Sequence, residues 1–187
     1  GLAFLTFDSV NAQNWVWQSP LPQGNNLSSV FFPNDTTGYA VGAAGTILKT
    51  TDAGNSWTPQ NSGTASGLGD VFFIDADTGY AIGGNSTILK TINGGVNWIP
   101  QAGGLPLLTS IFFTSSNTGY AVGGAGSSGI ILKTINGGIN WIAQNSGSNT
   151  FFNSVFFCDD TTGYVVSNGG KIIKTTNGGN TWTQQTS

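Results

Sequence analysis

The chain has 187 residues and a formal net charge of −3, with charged side chains making up only 7% of it. Its five basic residues are all Lys and its eight acidic residues all Asp; Arg, Glu and His do not occur. Five scattered lysines cannot displace the phosphate counterions that DNA or RNA binding requires, which argues against a nucleic-acid partner. Cys158 is the single cysteine, so neither an intrachain disulfide nor a Cys-based metal site can form, and it is expected as a small buried or half-buried filler behind Phe156-Phe157.

In chain order, Gly1–Ala12 begins apolar and ends Val10-Asn11-Ala12, like the tail of a secretory signal peptide cleaved after Ala12, although the basic leader is missing. Residues 1–13 are read as a signal-like or docking segment, and the location expected is extracellular or periplasmic. Any membrane contact falls to residues 1–12, since no apolar run approaches the ~18 residues of a span. Asn14-Trp15-Val16-Trp17-Gln18 then reads as a single strand.

From there one unit is written four times. A Val/Ile-Phe-Phe triplet starts at Val30, Val71, Ile111 and Val155, in steps of 41, 40 and 44 residues. The closing Trp recurs at Trp57, Trp98, Trp141 and Trp182, in steps of 41, 43 and 41. The first unit gives four short strands: Ser29–Phe32, Thr37–Gly42, Thr46–Thr50 and Ser56–Gln60. Gly, Asn and Asp between them supply turns, and no window carries the helical i, i+3, i+4 period. Four short strands in about forty residues is the pattern of a propeller blade. The fold expected is therefore all-β, with four four-stranded blades over about 27–60, 68–101, 108–144 and 152–185 within a repeat region 14–187. The Tyr-to-Ile spacing is 8 residues in three units but 11 in the third (Tyr120 to Ile131). Extra Gly/Ser residues within Gly123–Gly129 are expected to lengthen only a loop.

The most regular part is the turn before each Trp. Its four copies hold Asp52-Ala53-Gly54, Asn93-Gly94-Gly95, Asn136-Gly137-Gly138 and Asn177-Gly178-Gly179. Gly permits the positive φ that a tight hairpin needs, and the Asx side chain bonds to the turn's own backbone. Thr50-Thr51-Asp52-Ala53-Gly54-Asn55-Ser56-Trp57 resembles the Asp-box, or BNR, motif in full. The other copies carry Asn for Asp, and Asn97 and Asn140 replace the hydroxyl residue before Trp. With its Thr-Gly-Tyr and Ile-Leu-Lys-Thr segments, the repeat is similar to the photosystem II assembly/stability factor-like propellers, exported bacterial members of unknown role included.

That resemblance covers residues 15–187 and implies structural turns at Asp52, Gly54, Trp57, Asn93, Gly95, Trp98, Asn136, Gly138, Trp141, Asn177, Gly179 and Trp182. It also implies a ring of about seven blades. The arginine cluster of a sialidase site, or the arginine-rich patch with which assembly factors hold a client, has no counterpart in these residues. Catalysis is not expected, because the usual bases are missing and Asp75, Asp77, Asp159 and Asp160 sit in turns. Neither a metal nor a cofactor is expected.

Lys49, Lys90, Lys133 and Lys174 occur once per unit, each eight residues before its Trp. They could offer a cationic ring to an acidic partner. The spacing favours instead a Lys stem lying on the indole, a cation–π contact of roughly 0.5–1 kcal/mol. A lone fourth strand in front of four finished blades suggests part of a larger array, or copies of the chain pairing through blade edges. The function expected is a non-enzymatic exported scaffold or complex-assembly module that binds protein. A glycan-binding or carbohydrate-active fragment and an accessory subunit of a membrane complex are the alternatives.

Overall fold

The computed structural model describes residues 24–101 and 106–186. The signal-like segment 1–13 and the lone strand expected at 14–18 lie outside them. Among the described residues, sixteen strands form four antiparallel sheets of four, each in simple meander order. Sheet one holds β1 (Leu27–Phe31), β2 (Gly38–Gly42), β3 (Ile47–Thr50) and β4 (Thr58–Gln60). Sheet two holds β5 (Leu68–Phe73), β6 (Thr78–Gly83), β7 (Ile88–Ile92) and β8 (Ile99–Pro100). Sheet three holds β9 (Leu107–Phe113), β10 (Gly119–Ala125), β11 (Ser128–Thr134) and β12 (Ile142–Gln144). Sheet four holds β13 (Phe152–Phe157), β14 (Gly163–Ser167), β15 (Lys171–Thr175) and β16 (Thr183–Gln184).

Each sheet carries the same cross-strand row. Phe72 pairs with Tyr80 and Tyr80 with Lys90; Phe31-Tyr39-Lys49, Phe112-Tyr120-Lys133 and Phe156-Tyr164-Lys174 are its copies. Side chains directly opposite on antiparallel strands share a face, so one face of every sheet presents Phe, Tyr and Lys side by side. The other face presents the second Phe of each triplet, which lies flat on the glycine of Thr-Gly-Tyr. A Cβ at Gly79 would fall 2.5 Å from the Phe73 ring, and the other three sheets repeat that contact. Only glycine fits there.

The core lies between sheets. Tyr39, Val41 and Ile47 of sheet one pack on Leu68, Val71, Phe73 and Trp98 of sheet two. Equivalent layers join sheets two and three, and three and four. Tyr39 stacks on Phe73 with ring centroids 3.9 Å apart, Tyr80 on Phe113 at 4.2 Å and Tyr120 on Phe157 at 3.9 Å. A second aromatic file, Phe31-Phe72-Phe112-Phe156, crosses all four sheets at centroid spacings of 5.1, 5.3 and 5.1 Å. The second strands are buried along their whole length in sheets one and two apart from Thr78, so they read as unbroken small and apolar runs instead of alternating ones.

Two sequence expectations change. Cys158 is exposed, because the strand ends at Phe157 and the chain has already turned outward. The insertion in sheet three lengthens strands more than a loop: β10 and β11 continue in register to Ala125↔Ser128, leaving Gly126-Ser127 as the turn. An unbroken run of small residues, Gly123 to Gly129, lets the hairpin lean on sheet four, where Gly129 has no room for a Cβ beside the Thr150 carbonyl and the Phe152 ring.

Candidate functional site

The four Asx-x-Gly turns are hydrogen-bonded the same way. In sheet two the buried Thr91 hydroxyl donates to Asn93 Oδ1 at 3.0 Å and accepts from the Gly95 N–H at 2.9 Å. Asn93 Oδ1 also accepts the Asn97 N–H at 3.0 Å. Thr134-Asn136-Gly138 and Thr175-Asn177-Gly179 repeat this pattern, and so does Thr50-Asp52-Gly54. One side-chain oxygen does the work in every copy, which is why Asn replaces Asp freely. Asp52 gains a further bond from the Ser56 hydroxyl at 2.6 Å, and that bond, with the Ser56 N–H and Thr50, holds its carboxyl down to about 2. The closing Trp98, Trp141 and Trp182 meet the second Phe of their own triplet edge-on, at 5.9 to 6.0 Å, and Trp57 meets Phe32 at 6.0 Å.

The lysines do not lie on these indoles. Lys90 Nζ sits 5.4 Å from the centre of the Tyr80 ring, and Lys49, Lys133 and Lys174 stand equally over Tyr39, Tyr120 and Tyr164. Register decides this, because Lys pairs directly with Tyr on the second strand while Trp faces the other side of the hairpin. Three of the four then cross to the next sheet. Lys49 Nζ donates to the Gly94 carbonyl at 2.6 Å, and the Tyr39 hydroxyl donates to the same oxygen at 2.9 Å. Lys90 and Tyr80 share the Gly137 carbonyl at 2.7 and 2.8 Å, and Lys133 and Tyr120 share Gly178 at 2.6 and 2.8 Å. The Asx-x-Gly turn of one sheet is thus the acceptor for the Tyr/Lys pair of the sheet before it. Burial, with a nearby Asp, pushes the phenols of Tyr39, Tyr80 and Tyr120 up to about 12.

The acidic turns between first and second strands are also self-satisfied. Asp75 accepts the N–H groups of Asp77 and Thr78, and Asp159 those of Thr161 and Thr162. Asn34 and Ser115 hold the same places in the other two sheets. Among the described residues no three His, Cys, Asp or Glu side chains gather as metal ligands would.

One surface escapes a reading made repeat by repeat. Ile92, Val96 and Ile99 of sheet two are 53–71% exposed, and Ile135, Ile139 and Ile142 of sheet three 61–66%. They occupy the same three positions around the turn and fourth strand. Sheet one has Thr51, Asn55 and Thr58 there, and sheet four Thr176, Asn180 and Thr183. The two middle sheets therefore carry an aliphatic rim flanked by polar copies of itself. The signal was in the sequence, as a departure shared by two adjacent repeats.

Four-stranded meanders packed face to face in chain order, each joined to the next through its turn, are blades of a β-propeller. Comparison with solved structures agrees. The chain is similar to YCF48 from Cyanidioschyzon merolae, with 25% identity and a TM-score of 0.69 over 91% of this chain and 59% of that one. It is similar to a YCF48 bound to D1 peptide, with 21% identity and a TM-score of 0.72 over 89% and 56% of the two chains. An ancestral GH74 enzyme matches with 23% identity and a TM-score of 0.72, over 90% of this chain and 25% of that chain. The chain thus spans a little over half the length of the YCF48 structures it resembles. No protein-family model matches the sequence, and no curated protein does.

Proposed function

We propose that this chain is a non-enzymatic, exported propeller module that holds a protein partner on the aliphatic rim of its two middle blades. The observation that carries this reading is the exposed set Ile92, Val96, Ile99, Ile135, Ile139 and Ile142. Exposed aliphatic residues repeated at the same positions of two adjacent blades and bordered by polar copies cost solubility and are characteristic of interaction surfaces. Fourth strands are blade edges, so a bound segment can combine apolar contact with strand pairing at β8 or β12. The D1 peptide bound by a similar YCF48 supports a polypeptide ligand. The four turns are Asp-boxes in a structural role, since in each the Thr hydroxyl and the Asx oxygen are spent on the turn itself, and three of the four also accept the Tyr/Lys pair of the preceding blade. The signal-like residues 1–12 and the charge-poor composition support an extracellular or periplasmic location.

The test exchanges the six aliphatic residues for their counterparts in the outer blades: Ile92→Thr, Val96→Asn, Ile99→Thr, Ile135→Thr, Ile139→Asn and Ile142→Thr. The repeat already tolerates these residues, so folding should survive. Panning a random peptide display library should enrich apolar extended peptides on the wild-type chain and none on the exchanged one. Equal enrichment on both, or release of reducing ends from soluble glucans by the wild-type chain, would overturn the proposal.

A further inference from the structure

Among the described residues the joint between blades is made three times, and sheets one and four each present one half of it unjoined. Sheet four presents the donor half. Its Phe156-Tyr164-Lys174 row copies those of the other sheets, with Lys174 Nζ already 5.5 Å from the Tyr164 ring centre. Yet Phe156 is 56% exposed, Val166 39% and Ile172 41%. The residues matching Val166 and Ile172 in the other three sheets are at most 1% exposed. Sheet one presents the acceptor half. Val30 is 60% exposed where Val71, Ile111 and Val155 are at most 4%, and Phe32 is 42% exposed where Phe73, Phe113 and Phe157 are at most 5%.

The chemistry of the two faces matches in detail. Phe32 already meets Trp57 edge-on, as Phe73 meets Trp98, but the tyrosine that stacks on Phe73 comes from the preceding sheet. Ala53 stands at the position of Gly94, with the same left-handed φ (59° against 61°), and its N–H bonds to Thr36 as that of Gly94 bonds to Asp77. The turn therefore presents the same carbonyl. Its methyl is no obstacle, because a Cβ on Gly94 would lie 3.5 Å from both Lys49 Nζ and the Tyr39 hydroxyl, ordinary contact distance. The four blades do not satisfy each other end to end, or Val30 and Phe156 would be covered.

We propose that a second copy of this chain docks head to tail, Phe156-Tyr164-Lys174 of each copy closing on Phe32, Trp57 and the Ala53 carbonyl of the other. A head-to-tail contact that closes gives a ring, here two copies with eight blades, the upper end of the usual propeller range. This inference is independent of the rim reading, since the two surfaces share no residue.

Sedimentation of the 187-residue chain at micromolar concentration tests it. The expected particle has twice the 19.3 kDa chain mass. Val30→Lys and Phe156→Lys each alter an exposed side chain, so circular dichroism should be unchanged while the mass halves. Mixing the two variants should restore a dimer, because one joint then forms between two unaltered faces. A monomeric wild-type chain, a dimer indifferent to both variants, a ladder of larger species, or a mixture that stays monomeric would each overturn the proposal. A dimer lost in only one of the two variants would indicate contact between like faces and would overturn it too.

Discussion

At the first-strand bulge of sheet two, the Asp70 carboxylate reaches into both neighbouring blades. It accepts the Ser29 hydroxyl of sheet one at 2.7 Å and the Ile111 N–H of sheet three at 2.9 Å, and caps the Val71 N–H of its own strand. Burial outweighs these hydrogen bonds and pushes its carboxyl above the usual Asp value. The sister blades hold Ser29, Ser110 and Ser154 at this position, and Ser110 accepts the Val155 N–H at 3.3 Å. Asp70→Ala should cost about 2–3 kcal/mol in urea unfolding, because a strand N–H between blades loses its charged acceptor. Asp70→Ser should cost about half as much, since a serine already fills the place elsewhere. The raised carboxyl gives a sign as well. Its contribution is largest below the ordinary Asp value and shrinks as pH rises through its own titration, a slope that Asp70→Ser should lack.

Among the elements, the Thr-x-Asx-x-Gly turn sets the blade. Its threonine is at most 1% exposed in every copy, and its hydroxyl both donates to the Asx oxygen and accepts the Gly N–H. Thr91→Val keeps the shape and β-branching but leaves a buried N–H unsatisfied, and it should destabilise by about 2–3 kcal/mol. Asn93→Asp should change stability by under about 0.5 kcal/mol, because Asp52 makes the same bonds in sheet one. Comparing the two urea midpoints separates a requirement for the hydroxyl from a general sensitivity of the turn. The distinction was half legible in the sequence: Asn/Asp exchange at a constant Thr and Gly pointed to a backbone-bonding turn. That the same turn is also the acceptor for the preceding blade was not legible, because Tyr39 and Gly94 lie 55 residues apart.

At the scale of the molecule, the three joints among the described residues carry three buried phenols, each pushed up to about 12 by burial. Raised folded values mean that their contribution is complete below the unfolded value of about 10 and is lost as pH climbs from there through 12. The urea midpoint should hold to about pH 10 and then fall steeply, and Tyr80→Phe should shallow that fall while lowering the plateau through the lost bond to Gly137. An unchanged alkaline slope in Tyr80→Phe would show that the joints are not where alkali acts.

The sequence by itself determined the blade. Repeat length, strand rhythm, turn chemistry and the Gly under the Phe ring are local or nearest-strand matters, set by φ, ψ and side-chain periodicity within some forty residues. Tertiary structure decided what the recurring polar groups are for. Lys49, Lys90 and Lys133 could have been a cationic ring or a prop for tryptophan, and strand register together with the face-to-face packing of blades committed them to a tyrosine and a carbonyl next door. Packing also distinguished the outer blades from the inner ones. Val30 and Val71 are the same residue in the same repeat position, and only the presence of a neighbouring sheet buries one and leaves the other in water.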